Sequence, residues 1–224
     1  MDRSRGTHPG MTRTDATRMP EKMSTDRQAL ENLLRDVAVG HVGFVDDGRP
    51  VVVPTAVVLD GERLLLHGST GSRWMRRLAT GVPVAVAVTA VDGVVVARTA
   101  FESSLDYRSA VLFGACRQVA PAELETSLAL ITERLLPGRV TEVRASSRRE
   151  LAATLVLELA IESWSLRISA GPPTDEPEDV AGSAWAGNLP IERRYAAPVP
   201  APDLRAGVDV PDSVRAMTAD RVRV

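Results

Sequence analysis

The chain has 224 residues, 44% of them hydrophobic and 25% charged, which is the composition of a globular domain with room for flanking segments. Its net charge of -2 gives no reason to expect a nucleic-acid or anionic-membrane partner. No apolar run reaches about 18 residues, so the sequence predicts no transmembrane helix. Residues 1–23 lack the apolar stretch of a secretory signal and are predicted to form a disordered arm. The only cysteine, Cys116, excludes an intrachain disulfide and fits a reducing cytoplasm.

The first structured part of the chain is predicted to be a helix followed by hairpins. Residues 24–40 carry leucines and a valine at helical spacing, and Thr25 with Gln28 has the spacing of a capping box. From residue 41 onward the apolar runs are short and β-rich. Asp-Gly pairs at 47–48 and 60–61 separate these runs and predict two hairpin turns.

The middle of the chain continues with strands and a few helices. A short helix is predicted over residues 72–81, and a strand pair turning at Asp92-Gly93 comes next. Residues 107–120 form a further strand candidate. Residues 121–138 begin with proline and end with Pro-Gly, which brackets a helix. Residues 154–169 are predicted to be the last strong strand.

This order of elements predicts a mainly β domain. Strands that follow one another through hairpins pair antiparallel, because parallel neighbours need long crossovers. Six or seven such strands with few, mostly short helices indicate a small barrel or sandwich over residues 24–171. Residues 172–194 are a separate C-terminal segment, and its first residues are rich in proline, aspartate and glutamate. Residues 195–224 are a Pro-rich tail, predicted to have little structure of its own.

Most catalytic chemistries find no support in the residues. His8, His41 and His67 are far apart and no ligand cluster predicts a metal site, although a haem with His41 or His67 as axial ligand stays open. Cys116 lies in an apolar run, where cysteine behaves as a small core residue. There is no G-x-S-x-G nucleophile elbow. Lys22, the only lysine, lies in the predicted arm, which excludes a pyridoxal Schiff base.

The stretch 66–74, LHGSTGSRW, has the chemistry of an oxyanion-binding turn. Ser72 stands where the following helix would begin, and a helix start presents unpaired N–H groups. Arg73, Arg76 and Arg77 add positive charge, and arginine can bind phosphate bidentately. The stretch matches neither Walker A nor G-x-G-x-x-G. The alternative is a serine-capped helix with a solvated arginine face.

Several blocks together resemble the pyridoxamine 5'-phosphate oxidase-like split barrels that bind FMN, nearest the subgroup of nitroimidazole-resistance proteins. The likeness runs in order through RPVVVPTAVV, LLLHGSTGSRWMRRL, DGVVVARTAFESSLDYRSAVLFGACRQV and WAGNLP, and spans residues 26–190. It implies a six-stranded antiparallel split β-barrel with flanking helices. It also implies a homodimer that binds FMN at the subunit interface, with residues 172–194 packing on the barrel or on the partner.

The resemblance also implies the cofactor-binding residues. The family's positions fall on Val53, Pro54, Thr55, Ala56, His67, Gly68, Ser72, Arg73, Ser109 and Trp185. The first four lie in the strand over residues 52–57, which would run along the flavin ring with backbone groups facing it, and its proline indicates a strand edge or bulge. His67 and Gly68 would lie near the ribityl chain, with Ser72 and Arg73 at the phosphate. Trp185 would reach the flavin from the second subunit.

The implied activity is that of a flavin-dependent reductase or oxidase of a small planar compound, such as a nitro-compound or a natural-product intermediate. No side chain is singled out as a catalyst, because the flavin carries the chemistry. The alternatives are a split barrel that uses haem or deazaflavin, and a flavin-binding protein without catalysis. This chain departs from the family at Trp74, where many members have a second basic residue, and at Asp106. The substrate motif of the vitamin-pathway oxidase is absent, so pyridoxamine phosphate is not expected as substrate.

Overall fold

Ten strands form one connected sheet in the computed structural model, which describes residues 19–219. The strands are β1 (Met23–Ser24), β2 (Val39–Asp46), β3 (Arg49–Asp60), β4 (Arg63–Ser69), β5 (Pro83–Val96), β6 (Ser104–Ala115), β7 (Arg117–Gln118), β8 (Thr154–Ala160), β9 (Ser163–Ser169) and β10 (Gly187–Pro190). All neighbours pair antiparallel. The predicted mainly β class with antiparallel strands is confirmed.

Helices flank this sheet at several points. They are α1 (Arg27–Asp36), α2 (Arg73–Ala79), α3 (Leu124–Leu135), α4 (Arg148–Ala153), α5 (Pro177–Val180) and α6 (Asp212–Ala219). The predicted capping box at the first helix is wrong, because Asp26 is the N-cap and its side chain accepts from the Gln28 N–H. A capping box does occur at α4, between Ser147 and Glu150. Among the described residues, no helix is long and apolar enough to cross a membrane.

The sheet order is β1-β9-β6-β5-β2-β3-β4-β8-β7, and β10 pairs with the far end of β5. β3 belongs to both halves of this curled sheet. Its first residues, 49–56, pair with β2, whereas residues 57–60 pair with β4. The sheet therefore splits between the first part of β3 and the end of β4. This split makes the architecture that of a split barrel.

Two of the three predicted Asp-Gly turns are present, and the third is wrong. Asp47 and Gly48 both have positive φ, 50° and 75°, as a tight hairpin turn requires. At Asp92-Gly93 the chain does not turn, because β5 continues through it with a register shift. A Cβ at Gly93 would lie 2.9 Å from the Leu189 oxygen, so this glycine lets β10 approach closely.

The predicted long strand over residues 154–169 is two strands. β8 and β9 lie at opposite ends of the sheet order, on either side of a break at 161–162. At the break the Ile161 N–H donates to the Glu62 oxygen at 2.9 Å, which ties this corner to the turn between β3 and β4. The sheet has more strands than the predicted six because short strands join it and because this segment divides.

The main core fills the inside of the curled sheet. Alternate residues of β2, β4, β5 and β6 point inward, and α1 covers the assembly with Leu30, Leu33 and Leu34. Cys116 belongs to this core and is only 2% exposed, and burial raises the pKa of its thiol to about 11. Its predicted role as a small core residue is therefore supported by its position. A second cluster, which includes Val58 and Leu65, lies under α3 on the other side of the sheet.

Both chain ends contain more structure than the sequence predicts. The predicted arm 1–23 lies partly outside the described residues, as does His8, but a short 3-10 helix begins at Pro20. Met23 pairs with Arg167, so the folded region starts before residue 24. In the predicted tail, α6 docks through Ser213, whose N–H and hydroxyl both donate to the Glu142 carboxylate. These contacts are distant in sequence, which is why local composition does not show them.

Candidate functional site

The side of β2 and β3 that faces away from the main core carries exposed apolar and small side chains. We call this surface the outer face, formed by Val39, His41, Val52, Pro54, Ala56 and Ala87. The register places His41 opposite Pro54 on one side and opposite Ala87 on the other. Val52 is 64% exposed and Val39 is 49% exposed. These two exposed valines lie on adjacent strands of the outer face, with His41 and Pro54 between them.

The edge of β3 that faces the split is open over residues 49–56, because no other described strand pairs with it. The Val57 N–H donates toward β2, to the Ala38 oxygen. Backbone groups alternate in direction along a strand, so those of Val52 and Ala56 point to the open edge. The backbone of Pro54 also points to the open edge. Because proline has no N–H, it leaves no unpaired donor at this edge. The edge offers carbonyl acceptors and two donors to a ligand.

Because of this alternation, the four predicted residues of β3 do not all face the same way. Pro54 and Ala56 lie on the outer face and on the open edge. Val53 packs against the main core, and the backbone groups of Val53 and Thr55 point toward β2. Val52 belongs to the strand expected along the flavin ring but not to the predicted binding residues, although its side chain and backbone both point where a ligand can approach. Strict alternation around Pro54 was the signal that could have identified it.

His67 lies on β4, next to the split. Val57 and Leu66 are paired and both face the main core, so their neighbours Ala56 and His67 share the opposite side of the sheet. The imidazole Nδ1 is buried and has no hydrogen-bond partner among residues 19–219. A buried side-chain nitrogen without a hydrogen-bond partner is unusual in a folded protein.

Gly68 has a structural reason for being glycine. A Cβ at this position would lie 2.9 Å from Cγ of Met75, which is fully buried in α2. The residue faces the main core, away from His67. Only the backbone of Gly68 can therefore contact the ribityl chain at its predicted position.

The backbone N–H groups of the predicted anion turn already donate hydrogen bonds to acceptors within the protein. The N–H groups of Thr70, Gly71 and Ser72 donate to the Ala153 oxygen, the Ser69 hydroxyl and the Ser69 oxygen. Ser72 is the N-cap of α2, as predicted, but its side chain makes no capping hydrogen bond. The hydroxyl of Ser72 is therefore not committed to the helix.

Arg73 projects from the first turn of α2 toward the hairpin turn between β2 and β3. Its Nη2 donates to Oδ2 of Asp46 at 2.9 Å and to Oδ2 of Asp47 at 3.1 Å. Arg77 lies near the same hairpin, with Nε 3.5 Å from Oδ1 of Asp46. The predicted phosphate ligand thus has two carboxylate partners, which sequence reasoning missed because they belong to a turn 26 residues earlier.

Ser109 and Trp185 lie away from the split. Ser109 is on β6, paired with Thr89 and Arg167. Trp185 is 68% exposed beside β10, which pairs with β5 at Val96. Ala87, the β5 residue that pairs with His41, is nine residues from Val96. Nine residues of strand span about 30 Å. Within one chain Trp185 cannot contact a ligand at the split, so its predicted role depends on a second subunit.

Asp106, one of the departures from the family pattern, has a structural role. Its Oδ2 accepts a hydrogen bond from the side-chain amide of Asn188 at 2.6 Å, and the same amide donates to the Gly171 oxygen. Asp106 thereby fixes the segment that carries β10. Its carboxylate does not lie at the predicted phosphate position.

A cleft of about 810 Å³ lies at the far end of β5, lined by residues of β5 and β6 and by residues 190–194. Its central cation, Arg108, donates to Asp36 at 2.7 Å and to both oxygens of Asp92 at 2.8 Å. The hydrogen bonds to Asp92 are the main reason that the pKa of Arg108 is raised. The cleft contains none of the predicted cofactor residues, and this ion-pair cluster is satisfied within the protein.

Comparison with known proteins agrees with the fold. A family model described as pyridoxamine 5'-phosphate oxidase matches residues 26–168. An FAD and haem binding protein from Mycobacterium smegmatis is 51% identical, with a TM-score of 0.85 over 88% of this chain and 97% of that one. A flavocytochrome from Azotobacter vinelandii is 29% identical, with a TM-score of 0.85 over 92% of this chain and 97% of that one.

A candidate 5-nitroimidazole antibiotic resistance protein from Bacteroides thetaiotaomicron shares the fold at 16% identity, with a TM-score of 0.55 over 65% of this chain and 86% of that one. No curated protein matches the chain. The curled antiparallel sheet with its open β3 edge is that of the split barrels. The chain belongs to the pyridoxamine 5'-phosphate oxidase family, which confirms the resemblance drawn from its sequence blocks.

Proposed function

We propose that the protein is a flavin- and haem-binding redox protein. The observation that carries this proposal is the 51% identity with an FAD and haem binding protein over 97% of that protein's length. The flavocytochrome at 29% identity supports the same pair of groups. FAD is therefore favoured over the FMN that the sequence blocks implied, and haem becomes a second group instead of an alternative. Deazaflavin stays an untested alternative.

The flavin is proposed to lie along the open edge of β3. The N–H groups of Val52 and Ala56 would donate to the flavin ring, and a donor near its pyrimidine end stabilises the charge of the reduced form. Ser72 and Arg73, across the split, would receive the phosphate. Ser109, which lies away from the split of its own chain, is proposed to contact the flavin of the partner.

Haem is proposed to be ligated by His67. Its buried Nδ1 without a partner fits a site that is complete only when another group is bound. His41, the alternative ligand, lies exposed on the outer face between Pro54 and Ala87. Apolar surface near His67, including Ala56, would pack against the macrocycle. Imidazole is a usual axial ligand of haem iron.

A homodimer is part of this proposal. The exposed valines of the outer face give a second copy an apolar surface to cover. Trp185, which cannot contact the split of its own chain, would reach the flavin of the partner. The location is proposed to be the cytoplasm, in keeping with one free, buried Cys116.

The proposed activity is oxidoreduction of a small planar compound, such as a nitro-compound or a natural-product intermediate. Bound flavin supplies hydride and one-electron chemistry, and bound haem supplies one-electron chemistry. The residues of the chain bind and orient these groups and exclude water. No side chain at the split is required as a general acid or base.

The proposal predicts electron transfer between the two groups within one complex. Protein reconstituted with FAD and haem is kept anaerobic, and its flavin is reduced photochemically. We expect flavin bleaching to be followed by the spectral change of reduced haem, with a first-order rate that does not depend on protein concentration. Flavin that is reduced while the haem stays oxidised would remove the redox function and leave two unconnected ligands.

A further inference from the structure

The two carboxylates at the β2–β3 turn occupy the nitrogen that both bidentate binding modes of Arg73 require. A guanidinium offers two forks of parallel N–H groups, one formed by Nε and Nη2 and the other by Nη1 and Nη2. Nη2 is common to both forks. In this protein Nη2 donates to Asp46 at 2.9 Å and to Asp47 at 3.1 Å, so both of its protons are in use.

These ion pairs can be broken by a ligand, but they place negative charge where a phosphate would bind. Arg73 and Asp47 are 74% and 84% exposed, and exposed pairs contribute little to stability. Asp46 is only 20% exposed and lies close to both Arg73 and Arg77. A phosphate at Arg73 must therefore displace carboxylates that stay nearby and repel it.

We propose that Asp46 and Asp47 are specificity-determining residues that select a flavin dinucleotide over a flavin mononucleotide. This inference rests on the proposed function, which places the flavin phosphate at Arg73. The mononucleotide ends in a phosphomonoester that carries close to two negative charges and needs a free fork. The dinucleotide also carries two charges, but they are divided between two phosphates, so the phosphate at Arg73 has only one of them. The repulsion by the two carboxylates is therefore stronger for the mononucleotide.

The test compares three flavins with wild-type protein and charge variants. Equilibrium dissociation constants for FMN, FAD and riboflavin are measured by flavin fluorescence at low ionic strength. The variants are the double substitution D46N/D47N, the single R73A and the triple D46N/D47N/R73A. The double substitution D203N/D209N, at two exposed positions in the C-terminal segment, is the matched control, because it also removes two negative charges.

We expect D46N/D47N to tighten FMN binding about tenfold, the effect of one freed charge-assisted hydrogen bond. FAD should tighten by less than about threefold, and riboflavin, which has no phosphate, should not change. The gain for FMN should disappear in the triple variant and at high salt, because it acts through Arg73 and through charge. D203N/D209N should leave all three affinities unchanged.

Two results would overturn this inference while leaving flavin binding intact. One is an FMN affinity that D46N/D47N does not change, and the other is an equal gain for FMN and FAD. A gain that persists in the triple variant would also overturn it, because Arg73 would then not mediate the selection. If the wild-type protein and all variants bind none of the three flavins, the proposed function itself fails and this inference falls with it.

Discussion

Replacing His67 with alanine is expected to abolish haem binding. The proposed site offers the iron one imidazole at the split, and no group within residues 19–219 hydrogen-bonds to its buried Nδ1. Removing that ligand should weaken haem binding by more than the roughly 10–100-fold that loss of an outer-shell partner costs a metal site. The measurement is a haem titration followed at the Soret band, with wild type and His67→Ala compared at equal concentration.

His41→Ala is the matched control for this result. His41 lies exposed on β2, and its replacement should leave the Soret titration unchanged. Flavin affinity should change little in His41→Ala, because His41 is not proposed to contact the flavin. Loss of the Soret band in His41→Ala with retention in His67→Ala would make His41 the haem ligand in place of His67.

Replacing Leu112 with alanine is expected to lower the free energy of unfolding by about 2–5 kcal/mol, because it leaves a cavity among side chains that cannot fill it. Leu112 lies on β6, is fully buried and belongs to the main core. Denaturant unfolding of the protein without cofactors measures this change free of the stabilisation that a bound ligand adds.

Leu204→Ala makes the same chemical change at a position that is 48% exposed in the C-terminal segment. Its effect on the free energy of unfolding should stay within about 0.5 kcal/mol, as for most surface substitutions. Equal losses in the two variants would show that the inside of the curled sheet is not the packed core described above.

Short-range chemistry accounts for the parts of the fold that the sequence predicts well. The turn at Asp47-Gly48 requires positive φ at adjacent residues, and this pair of residue types adopts it readily. At Asp92-Gly93 the same dipeptide lies inside a strand, because Leu189 and its neighbours add a strand from a distant part of the chain. A window of local sequence cannot distinguish the two cases.

The candidate site shows the same division between local and distant causes. Ser72 begins a helix, as its local pattern indicates, and Pro54 marks a strand edge. The state of Arg73 depends on Asp46 and Asp47, which approach it only when the hairpin folds against α2. The positive charge of Arg73 can be read from the sequence, whereas its ion pairs are seen only in the structure.

The most direct test of the central claim is a double titration of cofactor-free protein with FAD and with haem, followed by absorption. The account predicts that each titration saturates at one group per chain, and that binding of one group does not displace the other. A protein that saturates with neither group, or in which haem expels the flavin, would contradict a split barrel that holds both.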